Sequence, residues 1–187
     1  MCTIIKEPHK TLRGIAHPVA IETITGPDIQ NTLKCMQHAL HREPDGVAIA
    51  APQINEPLRI FIVAGFVFDI KKKNIGGTKS PDRIFINPEI IKRSKETKWI
   101  PGEGCLSVRW IYGTTKRHKS VTVRAYDENG KVFTMPATGL LAQIFQHETD
   151  HLEGILFIDH AKDIRHMDPD EITEYQAELA ILAKKAH

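Results

Sequence analysis

The sequence predicts an α+β fold, and three observations support that class. Helical periodicity occurs near the start, late and at the end of the chain; short runs of branched and aromatic residues fill the middle; and strands and helices do not alternate as in a doubly wound sheet.

The first helix is expected over residues 28–43, where Ile29, Leu33, Met36 and Leu40 recur three or four apart behind Pro27. Residues 58–64 (LRIFIVA) and 83–87 (RIFIN) are β-prone and bounded by Pro or Gly, which predicts two strands. Between them, residues 71–82 (KKKNIGGTKSPD) have the composition of an exposed, mobile loop. Residues 121–126 and 132–135 flank Asp127-Glu128-Asn129-Gly130, and Asn-Gly supplies the positive φ angles of a tight hairpin. Over residues 140–153, Leu140, Leu141, Ile144, Phe145 and Leu152 predict a helix that Gly154 ends. The last helix, 169–185, carries Ile172, Leu179 and Leu182 behind Asp168 as its N-cap. No internal repeat or linker interrupts the chain, so residues 1–187 are expected to form a single domain.

Composition narrows the function classes. A chain of 187 residues can bury roughly 70% of its unfolded surface. With 41% apolar and 26% charged residues it resembles an ordinary globular protein. No segment approaches the roughly 20 apolar residues of a spanning helix, and the opening MCTIIKEPHKTLRG lacks an apolar signal stretch, so a cytoplasmic location without membrane contact is expected. Cys2, Cys35 and Cys105 are few and widely spaced, which predicts reduced thiols. A net charge of +2 gives no sign of a DNA-binding protein. The basic clusters Lys71-Lys72-Lys73 and Lys116-Arg117-His118-Lys119 read as solvated loops, with an anionic or ribosomal docking surface as the alternative.

The late helix carries the chemistry. His147-Glu148-Thr149-Asp150-His151 places two imidazoles one helical turn apart on one face, so both can reach one metal ion, with Glu148 beside it to take a proton from water. A buried hydrogen-bonded His pair would share this spacing. A third protein ligand decides between hydrolase classes. A metzincin would need His at position 157, which is Phe157. Glu171 or Glu174 would complete a zinc peptidase, but both fall on an expected solvated helix face. Cys105 is the better candidate. It lies among Gly102, Gly104 and other small or turn-forming residues that let backbone approach a ligand closely, and a thiolate favours a transition metal. Cys2 and Cys35 read as small buried residues. Residues 45–54 (DGVAIAAPQI) are small and apolar, which alone indicates a tight loop or buried strand with Gln53 as a local hydrogen-bonding group. The expected architecture is mostly antiparallel sheets around a central metal-binding helix, with an N-terminal and a C-terminal helix.

Three segments in this order, GVAIAAPQ (46–53), EGCLS (103–107) and QHETDH (146–151), resemble the signature motifs of peptide deformylases. LRGIAHPV (12–19) and GILFID (154–159) are similar to the family's opening and to its continuation after the last ligand. The resemblance implies one catalytic domain that removes the formyl group from the formylmethionine of nascent chains. It implies Fe(II) as the ion, or Zn(II), Ni(II) or Co(II) as substitutes, held by Cys105, His147 and His151. Glu148 becomes the proton shuttle, with Gln53 and the Leu106 N–H as oxyanion donors. A peptide strand is expected along Gly46, Val47, Ala48, Ile49 and Gly104, with Leu140 and Ile144 lining the methionine pocket. Ribosome contact through a C-terminal helix bearing Lys184 and Lys185 is a further implication. The chain departs from the family pattern at Ala48, where a second Gly is usual, and at Arg109, Trp110, Ile111 and Tyr112, where Pro and then Arg are usual. Two alternatives stay open: a zinc peptidase with a carboxylate third ligand and, because of those departures, a degenerate homologue that binds formylated peptides without turnover.

Overall fold

The β-prone middle of the chain pairs into two antiparallel sheets, as described by a computed structural model for residues 2–69 and 80–185, with side chains through residue 178. The elements are α1 (Pro27–His41), β1 (Ala48–Ala50), β2 (Ile60–Val63), β3 (Arg83–Arg93), β4 (Thr97–Cys105), β5 (Val108–His118), β6 (Ser120–Tyr126), β7 (Val132–Thr138), α2 (Leu140–Leu152), β8 (Lys162–His166) and α3 (Pro169–Lys185). One sheet runs β1-β2-β3-β6-β7 and the other β4-β5-β8. The α+β class and the three helices follow expectation.

Hydrophobic burial explains the assembly. The α1 stripe of Ile29, Leu33, Met36 and Leu40 is buried, as its spacing requires. α2 lies across the five-stranded sheet and touches β5 of the other. Its Phe145 joins Phe61 and Phe85, whose rings sit 4.5 Å apart, with Phe85 and Phe145 at 5.0 Å. The hairpin forms as expected: Tyr126 pairs with Val132, Gly130 adopts φ 76°, and Asp127 Oδ1 accepts from the Asn129 and Lys131 N–H groups. Gly154 ends α2 at φ 72°. Asp168 caps α3, accepting from the Asp170 and Glu171 N–H groups, while Glu171 reaches back to the Asp168 N–H.

Three corrections concern the middle and the start of the chain. β4, β5 and β8 are not among the expected strands, and β4 escapes a reading by composition because Pro101, Gly102 and Gly104 look like turn residues. The ladder absorbs them where the β4 register shifts around Glu103, with Gly102 at φ 76°. The basic run 116–119 is no solvated loop. It ends β5 and leads into β6, and strand alternation carries Gly113, Thr115 and Arg117 inward while Lys116 and Lys119 stay exposed. Cys2 and Cys35 are joined in a disulfide, their Cα atoms 5.6 Å apart, so the expectation of reduced thiols holds only for Cys105. The cause is tertiary: the first residues run beside Gln53 and Ser107, where Ile5 N–H and Glu7 N–H donate to those carbonyls, and Ile4 packs on the core. Residues 70–79, including Lys71-Lys72-Lys73, lie outside the described residues, as do the side chains of Leu179, Leu182, Lys184 and Lys185. No helix among the described residues is long and apolar enough to cross a membrane.

Candidate metal centre

α2 and the β4–β5 turn bring three donors together. His147 and His151 stand one helical turn apart, and Cys105 ends β4 opposite Val108. The ligand atoms of Cys105, His147 and His151 all lie within 4.8 Å of one another, with Cys105 Sγ 3.2 Å from His151 Nε2. Burial alone would push the Cys105 thiol up. The neighbouring His151 and His147 rings outweigh it and hold the thiol well below its usual value. A thiolate with two imidazoles suits a transition metal, and His151 Nδ1 is a buried ring nitrogen without a hydrogen-bond partner among the described residues. Glu171, the alternative carboxylate ligand, is engaged elsewhere, 2.6 Å from Arg165 on the surface.

A buried carboxylate orients His147. Glu103 Oε1 accepts from His147 Nδ1 at 2.8 Å, which places the ring proton on Nδ1 and leaves Nε2 as the ligating atom. Glu103 itself is held by Arg117 in a bidentate pair, by Thr115 Oγ1 at 2.6 Å and by Gln143 Nε2 at 3.0 Å. Burial would raise its pKa, but the His147 and Arg117 bonds outweigh it and hold the carboxyl well below the usual carboxylate range. Arg117 also donates to Asp150 at 2.5 Å, so strand β5 is tied to helix α2 through charge.

Glu148 and Gln53 face the same space. Glu148 is buried, its Oε2 has no partner among the described residues, and desolvation pushes its pKa up to about 7. Gln53 sits in a short 3-10 turn (Ala51–Ile54) after β1. The Ala50 N–H donates to its Oε1 at 2.8 Å, so its Nε2 is aimed at Cys105 Sγ, 3.5 Å away, and at Ser107 Oγ, 3.2 Å away. Leu106 lies buried in the β4–β5 turn, its carbonyl taken by Lys6 Nζ at 2.7 Å.

A cleft of about 380 Å³ opens over these groups. Val47, Ala48, Gln53, Gly104, Cys105, Leu106, Leu140, Ile144, His147 and Glu148 all line it. Gly46 does not: a side chain there would meet Leu40 and the Glu43 carbonyl at the end of α1, so it serves packing. Ile49 is buried on β1 and also lies off the cleft.

A family model described as polypeptide deformylase matches residues 1–167. This chain belongs to the peptide deformylase family. The peptide deformylase of Nitrobacter hamburgensis is 38% identical over 183 residues, 97% of each chain. That of Rhodopseudomonas palustris strain BisB5 is 40% identical over 162 residues, 87% of this chain and 86% of the other. Among solved structures, a class I type b peptide deformylase from Acinetobacter baumannii bound to Met-Ala-Ser superposes with a TM-score of 0.72 at 31% identity, covering 84% of this chain and 96% of that one. A peptide deformylase from Legionella pneumophila gives 0.71 at 32% identity, covering 98% and 95%. The chain is accordingly a peptide deformylase, a metal-dependent hydrolase that acts on the formylmethionine of newly made polypeptides.

Sequence reasoning missed Glu103 and Arg117 as supports of the deformylase site, and Asp45, Gln143 and Tyr175 as parts of its cleft. Glu103 was legible within EGCLS, since an acid two residues from a candidate ligand invites a second role. Nothing local marks Arg117 or Tyr175, which reach the site from distant elements.

Proposed function

We propose that Cys105, His147 and His151 hold one divalent metal ion, Fe(II) natively with Zn(II), Ni(II) or Co(II) as substitutes, on the central helix of one catalytic domain spanning residues 1–187. The convergence of one sulfur and two ring nitrogens within 4.8 Å, with Glu148 buried beside them, carries this reading. When bound, the ion supplies Lewis acidity toward water and the formyl oxygen.

The chain's own groups do the rest. Glu148, its pKa near 7, takes a proton from the attacking water and passes it to the leaving amine, a task that favours a pKa close to the working pH. Gln53 Nε2 and the Leu106 N–H donate to the developing oxyanion, and the Ala50 bond to Gln53 Oε1 fixes the amide beforehand. β1 is the edge strand of its sheet, so its open side and Gly104 offer main-chain pairing to an extended peptide, with Val47 and Ala48 along its path. Leu140, 45% exposed at the cleft, and Ile144 cover the methionine side chain. Ala48 adds a methyl along this path and leaves the metal-binding side chains in place. We place the reaction in the cytoplasm, on nascent chains, with the C-terminal helix touching the ribosome; co-sedimentation with and without residues 169–187 tests that contact.

Purified protein loaded with Fe(II), Ni(II) or Co(II) is expected to release formate from a formyl-Met peptide. Absence of release with every metal refutes both turnover and this assignment of roles.

A further inference from the structure

The departures at Arg109, Trp110 and Tyr112 all line the cleft, where α3 adds a residue of its own, Tyr175. Tyr175 lies beyond residues 1–167, the stretch that matches the family model. Its ring meets that of Trp110 edge-on, centroids 6.1 Å apart at 84°, and its hydroxyl donates to Asp45 Oδ2 at 3.2 Å. Trp110 is held at φ 67°, a left-handed conformation that a bulky residue adopts only when its surroundings impose it. Its carbonyl accepts from the Met167 N–H at 2.8 Å, just before α3. One edge of the Tyr112 ring, Cδ1 and Cε1, lies over Gly104, where a Cβ would come within 2.7 Å of it.

This wall sits downstream of the reacting centre. The chain passes from Asp45, bonded to Arg109 and Tyr175, through Val47 and β1 to Gln53 beside Cys105. A strand-paired peptide with its formyl group at the metal ligands therefore carries its next residues, each advancing roughly 3.3 Å, toward Asp45 on one side and Tyr112 and Trp110 on the other. Arg109 cannot greet an acidic side chain there, because Asp45, at 2.6 and 3.0 Å, and Glu43 already match its charge.

We propose that Tyr175, Trp110 and Tyr112 form an aromatic shelf that binds the side chain of one of the two residues after the formylmethionine, making this enzyme prefer apolar and aromatic residues over acidic ones there. The proposal rests on the deformylase reading and specifies its substrate. Tyr175 and Trp110 are specificity-determining residues; neither moves a proton.

The test uses the full-length, metal-loaded enzyme and two peptide sets, formyl-Met-Xaa-Ala and formyl-Met-Ala-Xaa, with Xaa as Ala, Phe or Asp. Wild type is expected to favour Phe over Ala in kcat/KM by roughly 2- to 12-fold at one of the two positions, the range an added aromatic pair contributes. Asp should rank below Ala. In Tyr175→Ala the Phe-to-Ala ratio falls toward one, while Tyr175→Phe keeps it because Trp110 still holds the ring. The ratio cancels the fraction of folded enzyme, so a merely structural defect does not move it. A flat wild-type profile at both positions, or an unchanged ratio in Tyr175→Ala, or a collapsed ratio in Tyr175→Phe, overturns the shelf. No formate from any peptide removes the deformylase reading beneath it; formate with a flat profile removes the shelf alone.

Discussion

Replacing Arg117 with Met would expose how the metal ligands are held. The Arg117 side chain is 5% exposed and binds Glu103, itself 3% exposed, and Asp150, 26% exposed. Breaking a buried ion pair from one side costs about 3–5 kcal/mol because a charge is left uncompensated. Glu103 keeps Thr115, Gln143 and His147, and Asp150 can rehydrate, so the low end applies, about 3 kcal/mol. For a chain of this size that is roughly 6–12 °C in Tm. Arg117→Met should also loosen His147 through Glu103 and weaken metal binding about 10- to 100-fold. Denaturant titration of the metal-free protein and competition against a chelator measure the two effects. The double variant Glu103→Gln, Arg117→Met removes both charges and should be less destabilised than Arg117→Met alone, a coupling of at least about 1 kcal/mol. A loss below about 1 kcal/mol in Arg117→Met, or strict additivity in the double variant, refutes the reasoning.

Glu148→Gln should keep its metal, checked by elemental analysis, while formate release drops about 10²- to 10⁴-fold. Gln53→Ala should lower kcat about 10²- to 10³-fold with a smaller change in KM, measured by steady-state kinetics. Cys105→Ala should come off a desalting column without stoichiometric metal. Asp45 is half-buried; burial would raise its pKa, but the Arg109 bonds depress it below the usual aspartate value. A depressed carboxylate contributes stability that is present above its unfolded pKa and lost as the pH falls through the folded one. Asp45→Asn should therefore show a shallower loss of stability below about pH 4 than wild type, read by acid titration of the unfolding midpoint. Reducing Cys2–Cys35, which are 33 residues apart, should cost roughly 3–4 kcal/mol in chemical denaturation with and without a thiol reductant.

Local pattern determined much of this protein. The α1 stripe, the Asn129-Gly130 hairpin, the Asp168 cap and the one-turn spacing of His147 and His151 are short-range features, and each forms where its residues dictate. The choice of Cys105 as third donor rested on motif and thiol chemistry, and the fold places its sulfur beside His151. Tertiary structure decided the rest. Pairing partners turned a Pro- and Gly-containing segment into β4 and drew Arg117 inside to Glu103, because the identity of a strand's neighbour is not written in its own residues. The same holds for the Cys2–Cys35 bond and for Tyr175 at the cleft, which depend on where the two ends of the chain come to rest. Spacing along the chain specifies which side chains share a face; only packing specifies what that face meets.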